Sequence, residues 1–326
     1  MTTEPTTSTP PPAREVARPQ RDRAGRVFAG LSTGAGALIL VVLAAVAGFL
    51  LLEAWPAITA PAEQLSRISW IPADGSLLTY VGPLIFGTLV AAFLALLLAV
   101  PVAIGIALFI SHYAPRRLAN ALGYVVDLLA AIPSVVYGLW GGLVLAPLVQ
   151  PVWQWLSETL GWIPLFQGPA ATPARVMMTV GVVLAVMILP IITAVSREVF
   201  LQTPRLHEEA ALALGATRWE MVRMAVLPFG RSGVISAAML GLGRALGETM
   251  AVLMILSPGL TYSLALLLAG RQQTIAANIA LQFPEASPLG VSALIATGLA
   301  LFVITLAVNM LARWVVARRA DFSGAN

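Results

Sequence analysis

The chain has 326 residues, 59% of them hydrophobic and only 10% charged, against about 25% charged in an ordinary soluble domain; mean hydropathy is +0.88. That balance all but excludes a water-soluble enzyme and indicates a polytopic membrane protein. All 19 basic residues are Arg, and there is no Cys. Lys-based phosphate loops, Schiff-base chemistry, thiol catalysis, disulfides and Cys metal sites are therefore ruled out, and His112 and His207 are too few for a His-rich metal site. The arginines are scattered between apolar segments, as membrane topology places them, and do not indicate nucleic acid.

Residues 1–26 are rich in Pro, Thr and Arg and read as a disordered tail. The uncharged run 27–52 exceeds a signal-peptide core of about 7–15 residues. At about 1.5 Å per residue it can cross about 30 Å of hydrocarbon, so it is expected as a retained first span. Segment 53–76, with Trp55, Pro56, Trp70 and Pro72 among its charges, is expected as an interfacial loop. The uncharged run 77–111 is expected as a tilted second span with a kink at Pro101, closed by Arg116 and Arg117. A third span is expected over about 118–149, enclosing Asp127, Pro133, Ser134 and Tyr137. An outer segment rich in Trp, Pro and Gly follows over 150–175, with Trp153, Trp155 and Trp162 as interfacial anchors. The remaining spans are expected over about 176–196, 233–257 and 288–312, with 264–269 as a candidate re-entrant turn. Residues 27–319 thus form one transmembrane domain, and 320–326 a C-terminal tail.

Six spans put both termini on one side. Fifteen of the 19 arginines then share that side; Arg67, Arg175 and Arg271 lie on the other, and Arg244 lies inside a span. Excess Arg marks the cytoplasm, so both termini are expected to be cytoplasmic in a multi-pass protein of the cell membrane.

Residues 203–228 read TPRLHEEAALALGATRWEMVRMAVLP. Thr203 and Pro204 suit an N-cap and first helical position, Gly215 suits the glycine just past a helix end, and Thr217 with Glu220 fits a capping box. Two short helices with a glycine corner are expected. Glu208 and Glu209 sit on the first, followed by small Ala210, Ala211 and Ala213. Composition alone leaves a membrane-parallel helix with a solvated face equally open. The order Glu209-Ala210-Ala211, three residues, Gly215, then Leu227-Pro228 resembles the EAA loop of ABC importer permeases, with Ala225 where that family usually has Ile. The resemblance implies a coupling segment made by Glu208, Glu209, Ala210, Ala211, Gly215, Ala216, Thr217 and Arg218. It would seat in a groove of a separate ATPase dimer that binds ATP and Mg, this chain having no cofactor of its own.

Residues 241–252 read GLGRALGETMAV. On a continuous helix Arg244 and Glu248 share a face, about 6 Å apart along the axis. Ionisable groups at membrane depth cost at least about 2.5–3.5 kcal/mol each, so the pair is either a salt bridge gluing helices or an anion site in a translocation path. Arg presents a planar fork of donors suited to tetrahedral oxyanions. Gly241, Gly243 and Gly247 remove bulk beside it. Glu248 accepts hydrogen bonds only, which disfavours an anion with no proton to donate.

The run LGLGRALGETMAV after an EAA loop, with AAIPSVVYGLWG at 130–141 and the ALGATRWE stretch, resembles the membrane subunits of the phosphate-specific (Pst) ABC importers, above all the PstC type, over about residues 30–320. The resemblance implies an all-α, six-span, type I ABC importer permease (MetI-like) fold, itself not an enzyme. It implies a substrate pathway for inorganic phosphate through Arg244, Glu248, Tyr137 and Ser134. The implied partners are a second, PstA-like permease, a PstB-like ATPase dimer, a periplasmic or lipid-anchored PstS-like phosphate-binding protein and the lipid bilayer. Tyr137 reads either as a gate or as packing, and Pro133 as a break that exposes carbonyls to the pathway or to Ser134. Asp127 is a secondary candidate: an acid in the path, a partner for an Arg elsewhere, or a shallow structural group. Sulfate or molybdate stays open as the substrate. So does a secondary transporter with Glu248 and Asp127 as proton relay, against which the EAA spacing argues, and a scaffold acting through the Arg-rich tail.

Overall fold

The computed structural model describes residues 23–320, with side chains at 25–314. Most of the expected N-terminal tail, 1–22, and residues 321–326 lie outside the described residues. Hydrocarbon offers no hydrogen bonds to a backbone, so apolar crossings must satisfy their own N–H and C=O groups, and helices do this. The described residues accordingly contain helices and loops and no strand. Six of the helical stretches are long and apolar enough to cross a membrane: Gly25–Thr59, Leu77–Tyr113, Ser134–Thr159, Met177–Leu201, Arg218–Leu246 and Pro288–Trp314.

Helix α1 (Arg23–Thr59) takes in the last residues of the expected tail. The chain divides into two compact units, Met1–Gly48 and Phe49–Asn326. In the first, the described part of α1 is exposed along almost its whole length. In the second, Ala54 and Ala57 at the end of α1 are buried. A one-turn helix α2 (Ala62–Leu65) leads to α3 (Leu77–Leu108), which Ser76 caps and a π-helical turn, Phe109–Tyr113, extends. Then come α4 (Arg116–Ala130), α5 (Ser134–Trp140), a second π turn (Gly141–Leu145) and α6 (Ala146–Thr159). Helix α7 (Met177–Leu201) is packed against α3 through the main core, where a Cβ at Gly181 would run into Leu94. Next are α8 (Arg205–Ala213), α9 (Arg218–Met221), a third π turn (Val222–Val226), α10 (Leu227–Leu246), α11 (Met250–Ile255), α12 (Ile275–Gln282) and α13 (Pro288–Ala320).

Several expectations are corrected. The third span begins at Ser134, not near 118, and runs through 150–159. Pro133 has no N–H and pushes Ile132 out of the helical region, so the ladder breaks at 131–133 and 116–130 becomes a helix of its own. Asp127 is thereby outside the span, and Ser134 and Tyr137 are in its first turn rather than mid-way. Trp153 is not an interfacial anchor: it is buried, and its indole N–H donates to Thr179 Oγ1 at 3.0 Å.

The fifth span is continuous from Arg218 to Leu246 instead of running over 233–257. The capping box of Thr217 and Glu220 is present, but it opens this span directly, with no separate second short helix. A π turn immediately precedes Pro228, whose missing N–H would leave a gap in a regular ladder. The first short helix is as expected but starts one residue later, with Pro204 as N-cap. Gly215 follows it at φ +86°, a conformation that glycine alone adopts without cost.

Residues 264–269, the candidate re-entrant turn, are held against the rest of the protein. Leu266 and Leu267 are buried, and the stretch is bonded to the segment before α7 and to the first turn of α7: Ala171 N–H to the Leu267 carbonyl, Leu266 N–H to the Leu165 carbonyl and Met178 N–H to the Leu266 carbonyl, each at 3.0 Å. Its own arms are tied by Thr261 N–H to the Arg271 carbonyl at 2.9 Å.

Candidate functional site

The site centres on the place where the fifth crossing stops being helical. Helix α10 lies along α7 with Gly241 against Ile188 and Ile192, so Arg244, one turn further on, stands level with the interior of the bundle. The helix ends at Leu246, and 247–249 break it before α11 starts. Arg244 and Glu248 are therefore not on one helical face, as a continuous helix would require, and no ion pair joins them among the described residues. Glu248 is buried, and its Oε1 accepts the Ala251 N–H at 3.0 Å, satisfying one of the free donors at the start of α11. Arg244 is half-buried, and its Nε has no hydrogen-bond partner. An unpaired buried donor costs about 1–3 kcal/mol, and an unneutralised guanidinium at this depth adds to that. The fold thus holds an unsatisfied cation inside the span.

Tyr137, in the first turn of α5, is within electrostatic reach of Arg244. The Tyr137 hydroxyl donates to the Leu129 carbonyl at 2.9 Å and ties the first turn of α5 to the last turn of α4 across the Pro133 break. Helix α11 lies directly on α5: a Cβ at Gly138 would meet Ala251 Cα at 2.8 Å, and one at Gly141 would meet Ile255 Cδ1 at 2.6 Å. Arg244, Tyr137 and the capped Glu248 thus surround one junction of α5, α10 and α11. Ser134 starts α5 and makes no side-chain hydrogen bond among the described residues.

Sequence reasoning missed Arg175, counted only as a loop charge. Its Nη2 donates to the Met254 carbonyl at 3.2 Å and its Nε to the Ile255 carbonyl at 3.4 Å, so a cation sits on the negative end of α11. The signal was available: Arg175 is the single cation of 150–175.

The α8 corner is built differently. Ala211, Met221, Val222 and Val226 form a buried cluster with Ala107, Leu108 and Phe200, at the ends of α3 and α7. Ala216 N–H returns to the Ala211 carbonyl at 3.2 Å, closing the glycine corner. Thr217 Oγ1 accepts the Glu220 N–H at 3.3 Å, and Glu220 Oε2 accepts the Thr217 N–H at 2.8 Å. Glu209, Ala210 and Arg218 are exposed, while Glu208 faces His112. Outward stand Leu206, Leu212, Leu214 and Trp219, with Leu214 89% exposed. Asp127 is apart from the Arg244 junction: it lines a cavity between α4, the end of α7 and the start of α8 with Arg116, Arg197 and Arg205.

Six apolar helices, a helix break beside an unneutralised cation and an anchored, outward-facing corner define a multi-pass membrane permease. Residues 99–321 match the family described as binding-protein-dependent transport system inner membrane component. Over 96% of its length the chain is 48% identical to the phosphate transport system permease protein PstC 2 of Mycobacterium tuberculosis, of which 97% is covered. It is 41% identical to the phosphate transport system permease protein PstC of Xylella fastidiosa, with 91% of each chain covered. Among solved structures it is similar to a bacterial ABC transporter involved in import of the acidic polysaccharide alginate, at a TM-score of 0.52 and 19% identity over 90% of this chain and 99% of that one. That likeness carries the fold, which is the all-α type I ABC importer permease (MetI-like) fold. The chain belongs to the binding-protein-dependent inner-membrane component family and, within it, to the PstC permeases.

Proposed function

We propose that this chain is one of two membrane subunits of an ATP-driven importer of inorganic phosphate. The observation that carries the reading is the unneutralised Arg244 guanidinium at the helix break, in a chain 48% identical to a phosphate transport permease. A phosphate ion passing the α5–α10–α11 junction meets a planar set of donors with no resident acceptor to displace. Glu248, committed to the Ala251 N–H, keeps a carboxylate oxygen nearby that accepts a proton-bearing anion better than sulfate. The half-pathway is completed by a second, PstA-like permease, and a PstS-like binding protein delivers phosphate.

Coupling runs through 203–228. The exposed apolar side chains Leu206, Leu212, Leu214 and Trp219 belong to the surface an ATPase dimer covers, where they lose their contact with water. ATP and Mg are bound on that PstB-like partner. Closure of the dimer pushes α8 against the ends of α3 and α7, and the bundle alternates between outward and inward access. Both termini and the α8 corner lie on the cytoplasmic side of the cell membrane, in keeping with the arginine distribution.

The test is uptake of radiolabelled phosphate by proteoliposomes holding the full transporter, with ATP inside and binding protein outside, for wild type and Arg244→Gln. Uptake is expected to fall at least about a hundredfold, the loss of a charge-assisted contact at low dielectric, while ATP hydrolysis continues. Undiminished phosphate uptake by the variant sinks the proposal.

A further inference from the structure

The cavity at the α4–α7 crossing plays no part in the proposed pathway. It has a volume of about 600 Å³ and lies where α4, the end of α7 and the start of α8 meet. Arg116, Asn120, Gly123 and Asp127 line it from one face of α4, Arg197 from α7 and Arg205 from the first position of α8. Three guanidinia face one carboxylate, and no ion pair neutralises any of them among the described residues. Arg197 Nε is buried without a hydrogen-bond partner. The space its guanidinium occupies depends on Gly123: a Cβ there would run into Arg197 Nη1. The sequence has therefore cleared room for the tip of an arginine fork against α4 and has left its Nε unsatisfied.

We propose that this cavity is a binding site for a phosphoryl oxyanion, separate from the Arg244 pathway, held by Arg197 with Arg116 and Arg205. A tetrahedral oxyanion supplies acceptors to the orphaned Nε and offsets the excess positive charge. Asn120 adds a neutral donor, and Asp127 favours an anion that carries a proton or an ester-linked, singly charged group. Two sources share this chemistry, an anionic lipid headgroup and free phosphate; basic pockets between crossings at the membrane surface suit the former. Because Arg205 opens α8, occupancy fastens the coupling corner to the ends of the second and fourth crossings.

The experiment uses the assembled transporter in detergent. One arm titrates phosphatidylglycerol, with phosphatidylcholine as control, and counts bound lipid by native mass spectrometry. The other measures inorganic [32P]phosphate binding by equilibrium dialysis in the Arg244→Gln background, which removes the pathway contribution. Arg197→Gln is expected to weaken one of the two probes by at least about tenfold, the loss of a charge-assisted hydrogen bond. Gly123→Ala, which keeps every charge and displaces only the flexible guanidinium, is expected to do the same. Arg67→Gln, on the loop between the first two crossings, is expected to leave both unchanged. The arm that responds identifies the source. If neither probe binds wild type, or both bind Arg197→Gln and Gly123→Ala as they bind wild type, the site does not exist.

Discussion

His112 Nε2 lies 3.4 Å from Glu208 Oε1, and its other ring nitrogen, Nδ1, lies 2.7 Å from Ser111 Oγ. The imidazole is fixed at the end of the second crossing and reaches the first acidic residue of α8, 96 positions later in the chain. It is the polar tie of that corner, alongside the apolar anchorage through Ala211 and Phe200. Glu208→Gln and His112→Ala are each expected to cut transport per ATP hydrolysed by about three- to tenfold, since one hydrogen bond is worth about 0.5–1.5 kcal/mol. The measurement is the ratio of phosphate uptake to ATP consumption in proteoliposomes; an unchanged ratio removes the tie from the coupling path.

Gly215 and Thr217 shape the same corner by backbone means. Gly215 at φ +86° tolerates no Cβ without strain, and Ala there costs about 1–2 kcal/mol. Loss of the Thr217 cap in Thr217→Ala costs about 0.5–2 kcal/mol, and Thr217→Ser is expected to restore it. Both destabilising variants should weaken capture of the purified ATPase subunit by the permease pair, measured by biolayer interferometry. Equal capture by Gly215→Ala and wild type contradicts the docking role of the corner.

Gly138 is held by contact, not by dihedral angle. Its missing Cβ is what lets α5 rest on Ala251, 2.8 Å from where that atom would sit. The obstacle is backbone and cannot rotate away, so Gly138→Ala is expected to cost about 1–3 kcal/mol. A fall in the thermal midpoint of the purified transporter, larger than that for Gly105→Ala in open space, is the expected result. Equal midpoints refute the α5–α11 seat.

Arg175→Gln removes the cation from the carbonyls of Met254 and Ile255. A charge at a helix C-terminus is worth about 0.3–1 kcal/mol at exposed sites and more when partly buried. The expected phenotype is selective: basal ATP hydrolysis of the full transporter persists, and its stimulation by the binding protein falls at least about twofold. Loss of both activities in equal measure would instead indicate general misfolding.

Much of the fold was legible because long uncharged runs have few other uses. The run 77–111 and the one following Arg175 became crossings close to their expected limits. The misreadings share a cause. Hydropathy reports burial, whereas the ladder of backbone bonds decides where a helix stops. Pro133 divided 118–149 although the apolar character continued, and Arg223 and Arg231 concealed a helix already running from Arg218. At the candidate site, the helical spacing of Arg244 and Glu248 misled. Gly247 and Thr249 on either side of Glu248 are poor helix formers, and that local weakness was the available sign that the two would part. The Arg197 cavity was not legible, because Gly123 and Arg197 are 74 positions apart in the sequence and meet only through the packing of α4 on α7.

Helix α11 is gripped at both ends, by the Glu248 carboxylate at its start and the Arg175 guanidinium at its finish. It is six residues long, about 9 Å of rod at 1.5 Å per residue. Such a rod has no slack. Movement of Arg175 moves one handle of a short crank, and the other handle is the turn that carries Glu248, four positions after Arg244. A shift of the loop that holds Arg175 is thereby expected to displace the Glu248 turn as one rigid unit.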